Sequence, residues 1–239
     1  MKNFKLYQLF ITVIFIAILS ACTKDKNNVT PSTPTAQRAG VYILNQGNYG
    51  SGNGTLTYYD YTTKTLTADI FSKVNGRTLG DTPNDIKIYG SKMYITVDVS
   101  GTIEVVDAKT AKSIKQFSQK TGSTSREPRS IAFNNGKVFV SQYDGTVAVI
   151  DTTTLTIDKY ITVGRNPEQM VVSNGKLYVA NSGGLSFGNP DKTVSVIDLS
   201  TYTETKKITV IANPGSIGAD GYGNVYVFSS GDYATIKPV

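Results

Sequence analysis

Four aspartates recur along this chain at near-regular intervals: Asp60, Asp107, Asp151 and Asp198. Carboxylates repeated in this way could act as general acids, general bases or metal ligands. Their surroundings favour a plainer role. Each directly follows an apolar run, and most stand close to Thr or Ser. An Asp so placed forms a turn by accepting backbone N–H groups two residues on. The remaining inventory removes whole chemistries. There is no histidine, which excludes His-dependent triads, His-ligated haem and nearly all catalytic zinc or copper sites. Gly47 to Gly54 (GNYGSGNG) is glycine-rich, but no helix is predicted after it and no Lys-Ser/Thr ends it, so it lacks the form of a phosphate cradle. Loop oxygens of Asp81, Asp85 or Asp191 could hold a structural calcium ion, yet no spacing specifies one. Neither a cofactor, a metal nor a catalytic residue is expected.

Recognition is the chemistry that remains. Variable Gly- and Asn-rich segments lie at 45–54, 73–82, 119–127, 163–166 and 181–191, with shorter ones at 98–101, 142–145 and 229–233. They carry Asn45, Tyr49, Arg77, Arg126, Tyr143, Arg165, Asn181, Phe187, Asp232 and Tyr233. Aromatic rings supply stacking surface at low entropy cost, while Arg and Asn supply directional hydrogen bonds. The combination suits capture of a bulky polar ligand such as a glycan or another small molecule. The competing reading is that these are tolerant surface loops.

The elements that hold these loops repeat. Pro83, Pro128, Pro167 and Pro214 each open an apolar run, a Gly-containing turn and an aromatic-rich second run; the intervals between them are 45, 39 and 47 residues. Tyr94, Phe139, Tyr178 and Tyr226 keep the same beat as packing residues between units. A period of roughly 40–45 residues with four strands marks propeller blades. The expected fold is all-β, a β-propeller of four-stranded blades. In the clearest unit, strands are predicted at 169–172, 176–180, 193–197 and 204–210, with Asn174-Gly175 as a tight type I′ turn. Ahead of the first proline, strands are predicted at 41–44, 55–59 and 66–71, a blade without its innermost strand. A last unit begins its third strand at 234–236, making about four and a half blades.

Tyr178-Val179-Ala180-Asn181 and Thr193-Val194-Ser195-Val196-Ile197-Asp198 resemble the YVTN, or YncE-like, propeller repeat. That resemblance covers about Gly40 to the end and implies seven blades, so the sequence is expected to be truncated at its C-terminal side; the rival is a five-bladed ring. WD40 propellers are disfavoured, because the chain has no Trp.

The ends complete the picture. Lys2 and Lys5 precede an apolar stretch, Leu6 to Leu19, which is short for a membrane span. Leu19-Ser20-Ala21-Cys22 resembles a bacterial lipobox, which implies a signal peptide at 1–21 and a lipid on Cys22; the alternative is an uncleaved anchor helix. Cys22 is the only cysteine, so no disulfide forms within the chain. Residues 22–39 are polar and proline-dotted and read as a tether to the propeller at 40–239. Thr23-Lys24-Asp25-Lys26 is similar to export signals of Bacteroidota surface lipoproteins, departing from them at Lys26, where a second acid is usual. The formal charge of +6 falls to +4 without Lys2 and Lys5, as 22 basic against 18 acidic residues, and shows no basic run suited to nucleic acid. Together with Gly40-Val41-Tyr42-Ile43-Leu44-Asn45-Gln46-Gly47-Asn48, these features resemble YncE-like surface lipoproteins of Bacteroidota. Among these, BtuG-type propellers capture cobalamin and pass it to a TonB-dependent outer-membrane transporter. The resemblance implies a non-catalytic surface protein with a corrinoid as one candidate ligand; a glycan or a protein partner is the alternative.

Overall fold

Period-two alternation of β-branched and polar residues produces strands that bury both faces once blades stack. The structure, a computed structural model, describes residues 40–184, 186 and 188–232. The expected leader, the tether, Cys22, Phe187, Tyr233 and the strand at 234–236 lie outside the described residues.

β1 (Gly40–Asn45), β2 (Thr55–Asp60) and β3 (Leu66–Thr67) form a three-stranded first sheet, followed by α1 (Ile70–Asn75). The second blade is β4 (Pro83–Tyr89), β5 (Lys92–Val97), β6 (Thr102–Asp107) and β7 (Ser113–Ser118). A small hairpin follows, β8 (Lys120–Thr121) with β9 (Thr124–Ser125). The third blade is β10 (Pro128–Asn134), β11 (Lys137–Gln142), β12 (Thr146–Asp151) and β13 (Ile157–Thr162). The fourth is β14 (Pro167–Ser173), β15 (Lys176–Asn181), β16 (Thr193–Asp198) and β17 (Thr203–Thr209). A fifth unit contributes β18 (Pro214–Ala219) and β19 (Val225–Ser229). All strand pairs are antiparallel meanders, and β4, β10, β14 and β18 pack side by side as innermost strands. The chain is a partial β-propeller, as the repeat predicts.

Two local expectations change. The strand predicted over 66–71 is only two residues long, because Asp69 caps α1 by accepting the Ser72 N–H at 3.2 Å. That turn buries Phe71 completely against Met93 and Ala111 in the core of blades 1 and 2, a placement a continued strand would not give. Loop 119–127 is not irregular throughout, since it holds the β8–β9 hairpin.

The cores lie between blades. Leu56, Phe71, Met93 and Ile95 fill the first interface; Tyr94, Ile103, Ile131 and Val140 the second; Phe139, Val149, Leu177 and Ile197 the third. Tyr94 and Phe139 are fully buried, as their repeat position predicts, whereas Tyr226 in the fifth unit is 62% exposed.

The recurrent aspartates are turn formers. Asp151 Oδ1 accepts from the N–H groups of Thr153 and Thr154 at 2.8 and 2.7 Å. Asp60 and Asp107 repeat the pair of bonds, and Asp198 accepts from Ser200 N–H and Oγ. The Thr110 hydroxyl on Asp107 and these donors hold the carboxyls of Asp60, Asp107 and Asp198 below the ordinary range; on Asp151 the bond from Lys137 adds the largest effect. Asn174 and Gly175 both have positive φ (48° and 70°), the geometry of the predicted type I′ turn.

The opposite face is shaped by a second repeated device. Thr82, Glu127, Asn166 and Asn213, each directly before a blade-opening proline, have φ of 57°, 53°, 44° and 59°. Their carbonyls accept N–H bonds from the residue after the second strand: Asp98, Tyr143, Ser182 and Ser230, at 3.0 to 3.2 Å. A register shift follows each proline. Left-handed backbone is strained for such residues, and the four repeated bonds hold it in place.

Candidate functional site

The bulge after each proline frees backbone groups at the inner edge of the blade, and side chains of the preceding blade take them up. Asp85 Oδ2 accepts the Ile131 N–H at 2.8 Å and the Ser130 Oγ–H at 3.2 Å. Asn84 Nδ2 and Thr96 Oγ1 donate to the Arg129 carbonyl at 2.9 and 2.8 Å. Ser141 Oγ repeats the bond to the Glu168 carbonyl at 2.7 Å. Where these strands converge, Asn84, Asp85, Lys87, Arg129, Glu168 and Gln169 line an axial cleft of about 380 Å³ with Ser130, Met170, Gly215 and Ile217.

Arg129 is the hub of that cleft. It stands at the position after the blade-opening proline, where the other blades carry Asn84, Glu168 and Gly215. Its Nη1 donates to Asp98 Oδ2 at 2.5 Å and its Nε to Glu168 Oε2 at 3.3 Å. The guanidinium carbon lies 4.5 Å from the centroid of the Tyr143 ring, and the Tyr143 hydroxyl donates to Glu168 Oε1. Burial works against the cation, but Glu168, Tyr143 and Asp98 together hold Arg129 charged. Burial pushes the Asp98 carboxyl up, only partly offset by Arg129. Burial and then the Asp98 charge push Glu127 up. Burial, followed by the Glu168 charge, raises Tyr143 so far that it stays a neutral donor. Inward carboxylates thus stand at the axis, each engaged by a protein donor, and the described residues contain no group of three ligating side chains suited to a metal.

Beside the cleft, between blades 3 and 4, a groove of about 640 Å³ opens on the loop face. Tyr143, Asp144, Gly145, Thr162, Val163, Arg165, Asp191, Lys192 and Lys207 line it. Two of the loop residues singled out by sequence, Tyr143 and Arg165, meet here.

The others divide by the work their side chains already do. Asn181 is fully buried, its Nδ2 donating to Thr193 Oγ1 at 3.0 Å and Ser195 Oγ at 2.9 Å. Asn45 does the same in blade 1, donating to Thr55 Oγ1 and Thr57 Oγ1 at 3.0 and 2.9 Å. Arg77 lies over Phe71, 4.9 Å from the ring centroid, and binds both carboxylate oxygens of the fully buried Glu104 at 2.8 and 2.9 Å. Arg126 pairs with Asp144 and covers the Tyr160 ring at 4.6 Å. Arg165 pairs with Asp191 at 2.5 Å. Tyr49 is 81% exposed, and its loop is tied down through Gly50 N–H to Asp81 Oδ1 at 3.2 Å. Asp232 lies just after β19 and is already engaged in an interaction. Sequence reasoning passed over Arg129, Asp98 and Glu168; comparing the residue after each repeated proline would have marked two of them.

Fold and site together define a β-propeller whose rigid blades carry a polar, indented loop face, an architecture suited to binding or scaffolding. The chain belongs to the family described as "Domain of unknown function (DUF5074)", which matches residues 39–238. No curated protein matches the chain in sequence. Among solved structures it is similar to Kuenenia stuttgartiensis hydrazine synthase, with TM-score 0.62 and 18% identity over 79% of this chain and 52% of that one. The WD40 β-propeller domain of Doa1 gives a TM-score of 0.59 at 17% identity, covering 81% and 58%. BamB from Moraxella catarrhalis gives 0.54 at 18% identity, covering 82% and 60%. At these identities the likeness concerns the fold alone, and the chain spans between half and three fifths of those structures.

Proposed function

We propose that this chain is a non-catalytic capture protein of the YncE-like type, anchored to the outer membrane through a lipid on Cys22 and displayed on the cell surface. It holds a bulky polar ligand on the loop face for hand-over to a TonB-dependent transporter, with a corrinoid as the first ligand to test. The observation that carries this reading is the shape of that face. A groove of about 640 Å³ with mixed polar and apolar walls adjoins a polar axial cleft, whereas a protein scaffold would favour a flat apolar surface. Tyr49 supplies an exposed ring on the same face. The leader and Cys22, read from the sequence, carry the localisation.

Gel filtration with cyanocobalamin, followed by its visible absorbance, tests the ligand. Co-elution at stoichiometric loading is the expected result, weakened by Tyr49→Ala without loss of stability. Colour eluting entirely free of the protein removes the corrinoid and leaves a glycan or a protein partner.

A further inference from the structure

The fourth blade departs from the other three at the groove. Directly before the third-strand threonine, the first three blades carry glycine: Gly54 before Thr55, Gly101 before Thr102 and Gly145 before Thr146. The fourth places Lys192 before Thr193, exposed and lining the groove. A second lysine is added from the outer strand. Lys207 stands opposite Ser195, where the earlier blades have Gln116 opposite Glu104 and Tyr160 opposite Ala148.

The other charges of the groove cancel. Asp144 is taken by Arg126, and Asp191 by Arg165 through bonds of 2.5 and 3.1 Å. Lys207 has only a loose pairing, 3.6 Å from Glu204 Oε2, and Lys192 forms no ion pair among the described residues. Thr193 Oγ1 accepts from Asn181, which leaves its own O–H to donate, and Thr162 is exposed beside it. Two ammonium groups, one without an ion pair among the described residues and one only loosely paired, line the groove with these hydroxyl donors, a combination that concentrates and binds oxyanions.

From this juxtaposition we infer that the groove between blades 3 and 4 is an anion-recognition subsite, in which Lys192 and Lys207 bind a carboxylate or phosphodiester of the captured ligand. This rests on the loop-face capture proposed above and adds the chemical class of the ligand.

Calorimetric titration of the full chain tests it with two probes that carry an oxyanion group, called anionic for that group, and with counterparts that lack it. Trigalacturonate carries carboxylates and is set against maltotriose. Cyanocobalamin carries a phosphodiester and is set against dicyanocobinamide, a corrin without it. The expected result is binding of at least one anionic probe, about tenfold tighter than its counterpart and weakening between about 50 and 300 mM salt. The probe that binds names the source of the anion. Restoring the residues of the other blades with Lys192→Gly plus Lys207→Gln should lower that affinity about tenfold, with unchanged circular dichroism; Lys207→Gln alone and the salt series serve if the double variant folds poorly. Equal affinity for probes with and without the oxyanion group, or no loss in the variants, overturns the subsite and leaves loop-face capture standing. If no probe binds, the anion subsite falls together with the corrinoid, and loop-face capture is left to another glycan or a protein partner.

Discussion

Arg129 of blade 3 reaches across the blade boundary to Asp98 of blade 2, Nη1 to Oδ2 at 2.5 Å, with their side chains 19% and 9% exposed. The pair joins two blades at the mouth of the axial cleft, and the Tyr143 ring covers the guanidinium. Removing one partner of a largely buried ion pair leaves the other charge unmatched, which costs more than the pair contributes. Arg129→Met should therefore lower stability by about 3 kcal/mol, measured by urea denaturation. Arg129→Met with Asp98→Asn should recover part of that loss, and strict additivity of the two would refute the coupling.

Acid should first stabilise and then destabilise the fold. Asp98 and Glu127 titrate above their ordinary values in the native protein, so the folded state binds more protons than the unfolded one as pH falls toward those values. Stability therefore rises as pH falls from neutrality toward those raised values. The turn aspartates Asp107, Asp151 and Asp198 are shifted down. Their contribution is present above the unfolded value of 3.8 and is lost as pH drops through the folded values. Melting temperatures across this range should peak on the acid side of neutrality. Glu127→Gln should flatten the rise, and an unchanged profile in that variant would count against the assignment.

Tyr94 is a polar intruder in an apolar interface. Its ring is fully buried, edge-on to Phe133 at 5.6 Å, and its hydroxyl has no hydrogen-bond partner among the described residues. Burial pushes its ionisation up to about 12. The same repeat position in the next blade is Phe139. Tyr94→Phe should be neutral or stabilise by about 1 kcal/mol, whereas Tyr94→Ala should destabilise by about 3–5 kcal/mol through the cavity it leaves. Thermal denaturation of the two variants separates the effects.

Asn181→Ala should lower stability by about 2 kcal/mol, because Thr193, Ser195 and the Gly164 N–H all lose a buried partner. Asn45→Ala should do less, since its bonds are more exposed. Chemical denaturation gives the ranking; a larger loss at Asn45 would contradict it.

Local signals along the chain specify the blade. Prolines at a steady interval, Asp-closed turns, Asn-Gly hairpins and alternating apolar strands are local signals, each acting through backbone preferences within a few residues. For that reason the strand order, the turn roles of Asp60, Asp107, Asp151 and Asp198, and the inter-blade burial of Tyr94 and Phe139 were legible. The short helix Ile70–Asn75 was not, because its reward is the tertiary burial of Phe71. The division of labour among the polar loop residues was hidden for the same reason. Asn181 and Tyr49 look alike as loop polar groups, yet one amide is consumed by Thr193 and Ser195 while the other ring stands in solvent. Arg129 finds Asp98 and Glu168 at separations of 31 and 39 residues. Such pairings depend on how neighbouring blades stack, so long-range packing selects which side chains meet and which stay exposed.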